Sequence, residues 1–152
     1  MRLQLQTDYA LRTLLALASN PERLMTVPEI ASTFEISQNH LVKVANQLVH
    51  LGWVEATRGR GGGMRLAVAP ELVRIGAVVR GFEGDHHVLA CVGATSSDCV
   101  VHSVCDLRGL LGRAEEAFFA ELDTKTLADL AAPGAKLVRR IRRSRRDVGA
   151  AR

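Results

Sequence analysis

Residues 36–68 read ISQNHLVKVANQLVHLGWVEATRGRGGGMRLAV, and this stretch decides the fold. Its first half repeats apolar residues at helical spacing behind Ser37, a residue type favoured at helix N-caps, and Gly52 stands where helices commonly end. The exposed face of this helix is predicted to be polar, with Gln38, Asn39, His40 and Lys43. The second half predicts two short strands joined by a basic, glycine-rich turn. The stretch therefore predicts a polar-faced helix followed directly by a β-hairpin.

A shorter helix is predicted just before this one. Thr26 and Glu29 have the capping-box pattern, a hydroxyl at the N-cap and a carboxylate three residues later. Two short helices joined by about three residues are typical of a helix-turn-helix, whose second helix enters the major groove of DNA. A plain helical hairpin has the same periodicity, but the β-hairpin that follows is placed as a wing. We therefore predict a mainly α fold with a small β-hairpin wing, a winged helix-turn-helix.

The turn of the predicted wing reads RGRGGG over residues 58–63. Arginines in such a turn contact phosphates and the minor groove, and glycines permit close approach of the backbone. A dinucleotide-binding loop is excluded because Met64 occupies the place of the last glycine in GxGxxG. A merely solvated turn is the alternative. We predict a DNA interface that comprises Gln38, Asn39, His40, Lys43, Arg58, Arg60, Gly61, Gly62 and Arg65.

Helical periodicity also dominates the flanking segments. Thr7 is in position to cap a first helix, with Asp8 in its first turn and Arg12 one turn later. Near the other end of the chain, Asp123 and Thr124 are in position to cap a last short helix. Just before this last helix, a long helix is predicted with one apolar stripe, made of Leu107, Leu110, Leu111, Ala114, Ala117, Phe118 and Leu122. Such a helix typically pairs with its twin, which predicts a homodimer, and packing against its own domain is the alternative.

Composition and charge narrow the class of protein. The 152 residues are 47% hydrophobic and 24% charged, as in globular proteins. We expect a cytoplasmic protein without membrane contact, because the N-terminus is too polar for a signal peptide and no apolar run approaches about 18 residues. We also expect no enzyme, since CxxC, nucleotide-loop and metal-hydrolase motifs are absent. Residues 136–152 hold eight basic side chains against one acid, which predicts a disordered tail attracted to DNA without specificity.

Three cysteines, Cys91, Cys99 and Cys105, fall within fifteen residues of predicted polar loop. An odd number in a chain expected to be cytoplasmic argues against structural disulfides and favours metal ligands or a redox switch. Thiolates select zinc, cuprous ion or iron-sulfur clusters, and the absence of a CxxC knuckle favours a cluster with three thiolates and one other ligand. The residues nearby leave that ligand open among His86, His87, Asp98, His102 and Asp106.

Taken together, these features resemble the Rrf-type winged-helix iron-sulfur regulators, and among them the nitric-oxide-sensing repressors. The resemblance runs from Met1 to about Leu130. It is carried by four sets of residues: Thr7-Asp8-Tyr9-Ala10-Leu11-Arg12, Ile36-Ser37-Gln38-Asn39-His40-Leu41-Val42-Lys43-Val44, Arg58-Gly59-Arg60-Gly61-Gly62-Gly63, and Phe118-Phe119-Ala120-Glu121-Leu122-Asp123 with Thr126-Leu127-Ala128-Asp129-Leu130.

The resemblance implies a homodimeric repressor that binds operator DNA and releases it when nitric oxide nitrosylates a 4Fe-4S cluster. It implies that the cluster lies on Cys91, Cys99 and Cys105, with Asp8 of the partner subunit as fourth ligand. A 2Fe-2S cluster, or a thiol or zinc redox switch, is the alternative within the family. Arg108 argues against the 2Fe-2S sibling, which has a histidine at that place.

We accordingly predict four parts of the chain. These are a winged helix-turn-helix over residues 1–84, a cluster-binding segment over 85–106, a dimerisation helix with a terminal helix over 107–133, and the basic tail over 134–152.

Overall fold

The computed structural model describes residues 3–84, 87–88, 91–92 and 100–131. In chain order these form α1 (Leu5–Ala18), α2 (Val27–Phe34), α3 (Gln38–His50), β1 (Val54–Thr57), β2 (Gly63–Leu66), a 3-10 turn (Pro70–Leu72), α4 (Ile75–Glu83), a second 3-10 turn (His102–Val104), α5 (Asp106–Asp123) and α6 (Leu127–Ala131). None of the helices in the described ranges is both long and apolar enough to span a bilayer. The predicted basic tail lies outside the described residues.

The helix-turn-helix consists of α2 and α3. The capping box at the start of α2 is confirmed: the Glu29 backbone N–H donates to Thr26 Oγ1 at 3.4 Å, and the Thr26 N–H donates to Glu29 Oε2 at 2.8 Å. Glu35 ends α2 in the left-handed conformation, with φ at 55°, and so turns the chain towards α3. Ser37 is the N-cap residue of α3, as predicted, although its side chain makes no capping hydrogen bond.

The wing is an antiparallel hairpin whose register runs from Val54 opposite Leu66 to Thr57 opposite Gly63. It is anchored to the segment before α2, because Met25 and Met64 exchange two backbone hydrogen bonds of 2.9 and 2.8 Å. Glycine is required at position 63, since a Cβ there would lie 2.9 Å from the Met25 carbonyl oxygen. The predicted winged helix-turn-helix is thus confirmed.

One core holds these elements together. Helix α1 packs against α3, α4 and α6, so that the first and last described helices lie side by side. The largest fully buried apolar side chains come from all of these helices and from the wing, and include Leu14, Leu41, Leu48, Val54, Val78 and Leu127. Burying a leucine or valine contributes roughly 1.5–3 kcal/mol, so this shared core fixes the orientation of α3 relative to α1.

Two predicted helix caps are wrong. Helix α1 begins after Gln4 rather than at Thr7, which is fully buried in the first turn and donates from Oγ1 to Glu83 Oε1 at 2.5 Å. The Thr7 hydroxyl, which was predicted to cap α1, therefore bonds to the buried Glu83 on α4. The local sequence cannot reveal this partner. Helix α6 is capped by Thr126 with Asp129, whereas Asp123 and Thr124 end α5.

Among the described elements, helix α5 packs chiefly against α4. A bidentate ion pair joins Arg80 of α4 to Asp123, and the Arg80 guanidinium also lies 4.6 Å from the centroid of the Phe119 ring. The side-chain hydrogen bond from Arg80 holds the pKa of Asp123 below its ordinary value. Most of the predicted apolar stripe faces away: Leu107 and Leu110 are 56% and 54% exposed, and only Leu122 of the stripe packs against the core cluster.

Candidate DNA interface and cluster site

The N-terminal half of α3 presents the predicted major-groove residues. Leu41, Val44 and Leu48 fix this helix in the core, and the opposite face is left to solvent. All four predicted contact residues are exposed on it, namely Gln38, Asn39, His40 and Lys43. The burial of one face therefore determines which side chains α3 offers to a ligand. Amide, imidazole and ammonium groups supply the donors and acceptors that base edges and phosphates require.

The tip of the wing carries two arginines without internal partners. Arg58 and Arg60 are exposed, and neither forms an ion pair with any residue that the structure describes. Gly61 adopts a φ of 79°, in the left-handed region that favours glycine. A Cβ on Gly62 would lie 2.2 Å from the Thr57 carbonyl oxygen, so this position also requires glycine. The glycines thus keep the turn tight and leave both guanidinium groups available.

Arg65 differs from the other two arginines of the predicted interface. It lies directly opposite Glu55 in the hairpin register, and its Nε donates to Glu55 Oε1. Its charge is therefore partly compensated within the wing. The structure brings Arg65 to the same hairpin as Arg58 and Arg60 but gives it an internal partner.

Asp8 lies in the first turn of α1, as predicted, with its side chain 43% exposed. Arg12 donates from Nε to Asp8 Oδ1 at 2.9 Å, across the spacing of four residues at which helical side chains pair. The Arg12 guanidinium carbon also lies 6.0 Å from the centroid of the Phe34 ring, at the end of α2. The partner of Asp8 therefore touches the helix-turn-helix.

A second contact joins the same turn of α1 to α3. The rings of Tyr9 and His40 stack at a centroid distance of 6.5 Å and an interplanar angle of 28°. His40 thus contacts the neighbour of Asp8 in addition to being exposed beside Asn39. His40 was predicted to contact DNA only, because the spacing within α3 does not reveal that α1 brings Tyr9 next to it.

Two of the three cysteines lie within the described residues. Cys91 and Cys105 are free and half-buried, and Cys105 is the N-cap residue of α5. Arg108, in the first turn of α5, donates from Nε to the Cys91 carbonyl oxygen at 2.7 Å. This bond brings the backbone of Cys91 next to the N-terminal turn of α5, the helix that begins after Cys105. Cys99 lies outside the described residues.

Three of the residues considered for a fourth ligand, His87, His102 and Asp106, lie within the described residues. His87 Nδ1 lies 3.2 Å from Oε2 of the buried Glu115, so that imidazole already has a partner on α5. His102 begins the second 3-10 turn and Asp106 begins α5. His86 and Asp98 lie outside the described residues. Within the described ranges, no three histidine, cysteine or acidic side chains are grouped to hold a metal ion.

Sequence reasoning missed two residues that shape this region. Arg108 was considered only as a missing histidine, yet it ties Cys91 to α5. Glu83 was not considered at all, yet it accepts hydrogen bonds from the start of α1. Neither contact has a local signal, because the partners are 17 and at least 76 residues apart.

Comparisons with known proteins agree with this architecture. The model of the Rrf2 family, described as iron-dependent transcriptional regulators, matches residues 3–133. The HTH-type transcriptional regulator NsrR of Bacillus subtilis is 47% identical over 131 residues, which cover 86% of this chain and 90% of that protein. The NsrR of Geobacillus kaustophilus is 46% identical over 131 residues, covering 86% of this chain and 89% of that protein.

Solved structures show the same fold. The structure of CymR, the global cysteine regulator of B. subtilis, superimposes with a TM-score of 0.70 at 26% identity, covering 87% of this chain and 97% of that one. T. potens IscR gives a TM-score of 0.69 at 23% identity, covering 90% and 91%. The family model and the NsrR relatives together show that this chain is a transcriptional regulator and belongs to the Rrf2 family of iron-dependent transcriptional regulators.

Proposed function

We propose that the chain is a homodimeric repressor that senses nitric oxide through a 4Fe-4S cluster and releases operator DNA in response. The ligands in this proposal are Cys91, Cys99 and Cys105, with Asp8 of the partner subunit as the fourth. The observation that carries it is the hydrogen bond from Arg108 to the Cys91 carbonyl, which holds the backbone of Cys91 beside the first turn of α5, the helix that Cys105 precedes. Similarity to the HTH-type transcriptional regulator NsrR over most of the chain supports a DNA-binding regulator, and the resemblance of the sequence motifs to nitric-oxide-sensing repressors supports the choice of effector.

The donor set fits an iron-sulfur cluster. Thiolates are the usual ligands of such clusters, and Cys105 precedes a helix N-terminus, where the helix dipole favours an anionic ligand. Arg108 donates to a carbonyl and is no ligand, which disfavours the 2Fe-2S mode of the family. When bound, the cluster would supply iron that reacts with nitric oxide.

The carboxylate of Asp8 is central to the proposed switch because it has two competing partners. In the structure it accepts a hydrogen bond from Arg12, whose guanidinium lies over the ring of Phe34. If Asp8 held the partner subunit's cluster, iron would compete with Arg12 for its carboxylate charge, and release of Asp8 would leave Arg12 as its partner. The Tyr9–His40 stack links the same turn of α1 to the DNA-facing helix. A change at Asp8 thus reaches both helices of the helix-turn-helix through direct contacts.

The dimer in this proposal forms through the exposed stripe of α5. Pairing of two copies places two recognition helices on one face, as required for successive major grooves of a palindromic operator. We assign the major-groove contacts to Gln38, Asn39, His40 and Lys43, and the wing contacts to Arg58, Arg60, Gly61, Gly62 and Arg65. The four parts of the chain keep the boundaries given above, and we place the protein in the cytoplasm, where the chromosome lies.

The proposal is tested by following DNA affinity through the three states of the protein. A duplex selected by the cluster-loaded protein from a randomised pool serves as the operator, and fluorescence anisotropy under anaerobic conditions measures binding. Cluster-loaded protein is expected to bind at least about 100-fold more tightly than the nitric-oxide-treated or cluster-free protein, an allosteric coupling of ordinary size. Equal affinity in all three states would contradict the proposal. Binding that follows thiol oxidation or zinc chelation instead would establish the alternative switch.

A further inference from the structure

The start of α1 is held by a carboxylate from another helix. Gln4 is the N-cap residue of α1, and its side chain makes no capping hydrogen bond. Glu83, the last residue of α4, takes that place: its Oε1 accepts from the Gln4 backbone N–H at 2.9 Å and from Thr7 Oγ1 at 2.5 Å. A negative charge at this position is also favoured by the helix dipole.

This contact is buried and therefore specific. Thr7 is fully buried and Glu83 is 9% exposed, so water has little access to either group. A buried hydroxyl and carboxylate are costly to leave without partners, and each fixes the position of the other. The first turn of α1 is thereby tied to the end of α4 at one defined place.

The contact joins the two parts of the chain that the proposed function assigns to the cluster. Asp8 follows Thr7 directly, in the first turn of α1. Glu83 ends the helix that precedes the segment with Cys91. Glu83, which precedes the cysteine segment, thus sets the position of the backbone next to Asp8.

We propose that Glu83 is a positioning residue for Asp8, which fixes the first turn of α1 so that the Asp8 carboxylate reaches the partner subunit's cluster. This inference rests on the proposed function, since it takes Asp8 as the fourth ligand. Glu83 acts through Thr7 and Gln4 and is itself no ligand. Residues in such supporting positions typically change metal affinity by about 10–100-fold when they are replaced.

The test measures how fast the reconstituted full-length dimer loses iron to a chelator, followed by absorption under anaerobic conditions. The variants are Asp8→Ala, Glu83→Ala, Thr7→Val and the double variant Asp8→Ala with Glu83→Ala. Glu29→Ala is the matched control, because it removes a carboxylate that caps α2 instead of α1. Hydrogen exchange of the cluster-free proteins over residues 5–9 gives a second readout that does not depend on the cluster.

Asp8→Ala is expected to accelerate iron loss at least about tenfold, and Glu83→Ala and Thr7→Val to accelerate it in the same direction. The double variant should lose iron no faster than Asp8→Ala alone, because Glu83 acts through Asp8. Glu83→Ala should also speed exchange over residues 5–9, and Glu29→Ala should behave like the unmodified protein in both assays. Thr7→Val retains the shape of the side chain and tests the contact even if Glu83→Ala fails to fold.

Two results would overturn the inference while leaving the proposed function intact. The first is unchanged iron loss in Glu83→Ala and Thr7→Val when Asp8→Ala is fast. The second is full additivity in the double variant, which would mean that Glu83 stabilises the cluster without Asp8. If Asp8→Ala itself lost iron at the unmodified rate, the assignment of the fourth ligand would be wrong, and this inference with it.

Discussion

Arg60 is the residue from which the account predicts the clearest effect on DNA binding. It is exposed in the tight turn of the wing, next to Gly61 and without an ion-pair partner among the described residues. Arg60→Ala should weaken operator binding by about 1–3 kcal/mol if the guanidinium reads a base edge, and should lower the salt dependence if it contacts a phosphate. Anisotropy titrations at several salt concentrations measure both quantities.

Arg65 provides the matched control for this experiment. Its guanidinium already donates to Glu55 across the hairpin, so removal of its side chain should cost less affinity than removal of Arg60. Both variants should keep the absorption spectrum of the unmodified protein, because neither arginine is among the proposed cluster ligands. An Arg60→Ala protein that binds the operator with unchanged affinity and salt dependence would show that the wing makes no contact there.

The same scale shows where sequence reasoning succeeds and fails. The Thr26–Glu29 capping box and the Asp8–Arg12 pair are predictable, because both partners lie within one helical turn. Thr7 obeys the same local rule for a cap, yet its hydroxyl bonds to Glu83, 76 residues away. A hydroxyl near a helix start satisfies either geometry, and only the packing of α4 against α1 decides between them.

At the scale of elements, the contact between α4 and α5 depends on a glycine. A Cβ on Gly76 would lie 2.1 Å from Asp123 Oδ1 and 3.1 Å from the Phe119 carbonyl oxygen. The carboxylate can move only by leaving Arg80, and the carbonyl belongs to the backbone of α5. Gly76→Ala should therefore lower the free energy of unfolding by about 1–2 kcal/mol, because overpacking outweighs the better helix propensity of alanine. Urea denaturation measures this value.

Gly112 is the control for that substitution, since it also lies inside a helix. Among the described residues, a Cβ there would meet Val92 Cγ1 alone, at an ordinary contact distance of 3.7 Å. Gly112→Ala should therefore raise the free energy of unfolding by about 0.5–1 kcal/mol through helix propensity alone. A stabilising Gly76→Ala would mean that α5 does not pack on α4 as the structure has it.

The exposed apolar stripe of α5 is the proposed interface of the dimer. Leu110 belongs to the apolar stripe of α5 and is 54% exposed. Leu110→Lys places one positive charge from each copy in the proposed interface. Because an unpaired buried charge is costly, the dimer dissociation constant should rise at least about tenfold. Analytical ultracentrifugation over a range of concentrations measures this constant.

Leu72 is a suitable control, because it is 75% exposed in the 3-10 turn after the wing and lies outside the apolar stripe. Leu72→Lys should leave the dimer intact. If Leu110→Lys dimerised as tightly as the unmodified chain, the stripe of α5 would not be the interface.

For the whole molecule, the fold was predictable from the periodicity of the sequence. The arrangement of the site was predictable only in part. The helix-turn-helix and the wing follow from repeats of apolar residues around Gly52, which are local signals. The links that join the parts of the site are not local. Arg108 reaches Cys91, and Tyr9 reaches His40, because a shared core places distant segments side by side. Spacing along the chain gives no measure of such distances.

These links connect the proposed sensor to the DNA-facing helices by two short routes. One runs from Asp8 through Arg12 to Phe34, and the other from Tyr9 to His40. Each is a direct contact between α1 and the helix-turn-helix. A change at Asp8 in the proposed switch would therefore reach the helix-turn-helix through these contacts.

The central claim is that this chain is an iron-sulfur sensor, and iron and sulfide analysis after anaerobic purification tests it most directly. The absorption spectrum is recorded at the same time and followed through a titration with nitric oxide. The account predicts about four irons and four sulfides per chain, and a broad visible absorption that nitric oxide abolishes. About two irons per chain would contradict the 4Fe-4S assignment and the role of Asp8. A colourless chain that takes up no iron on reconstitution would contradict the sensor itself.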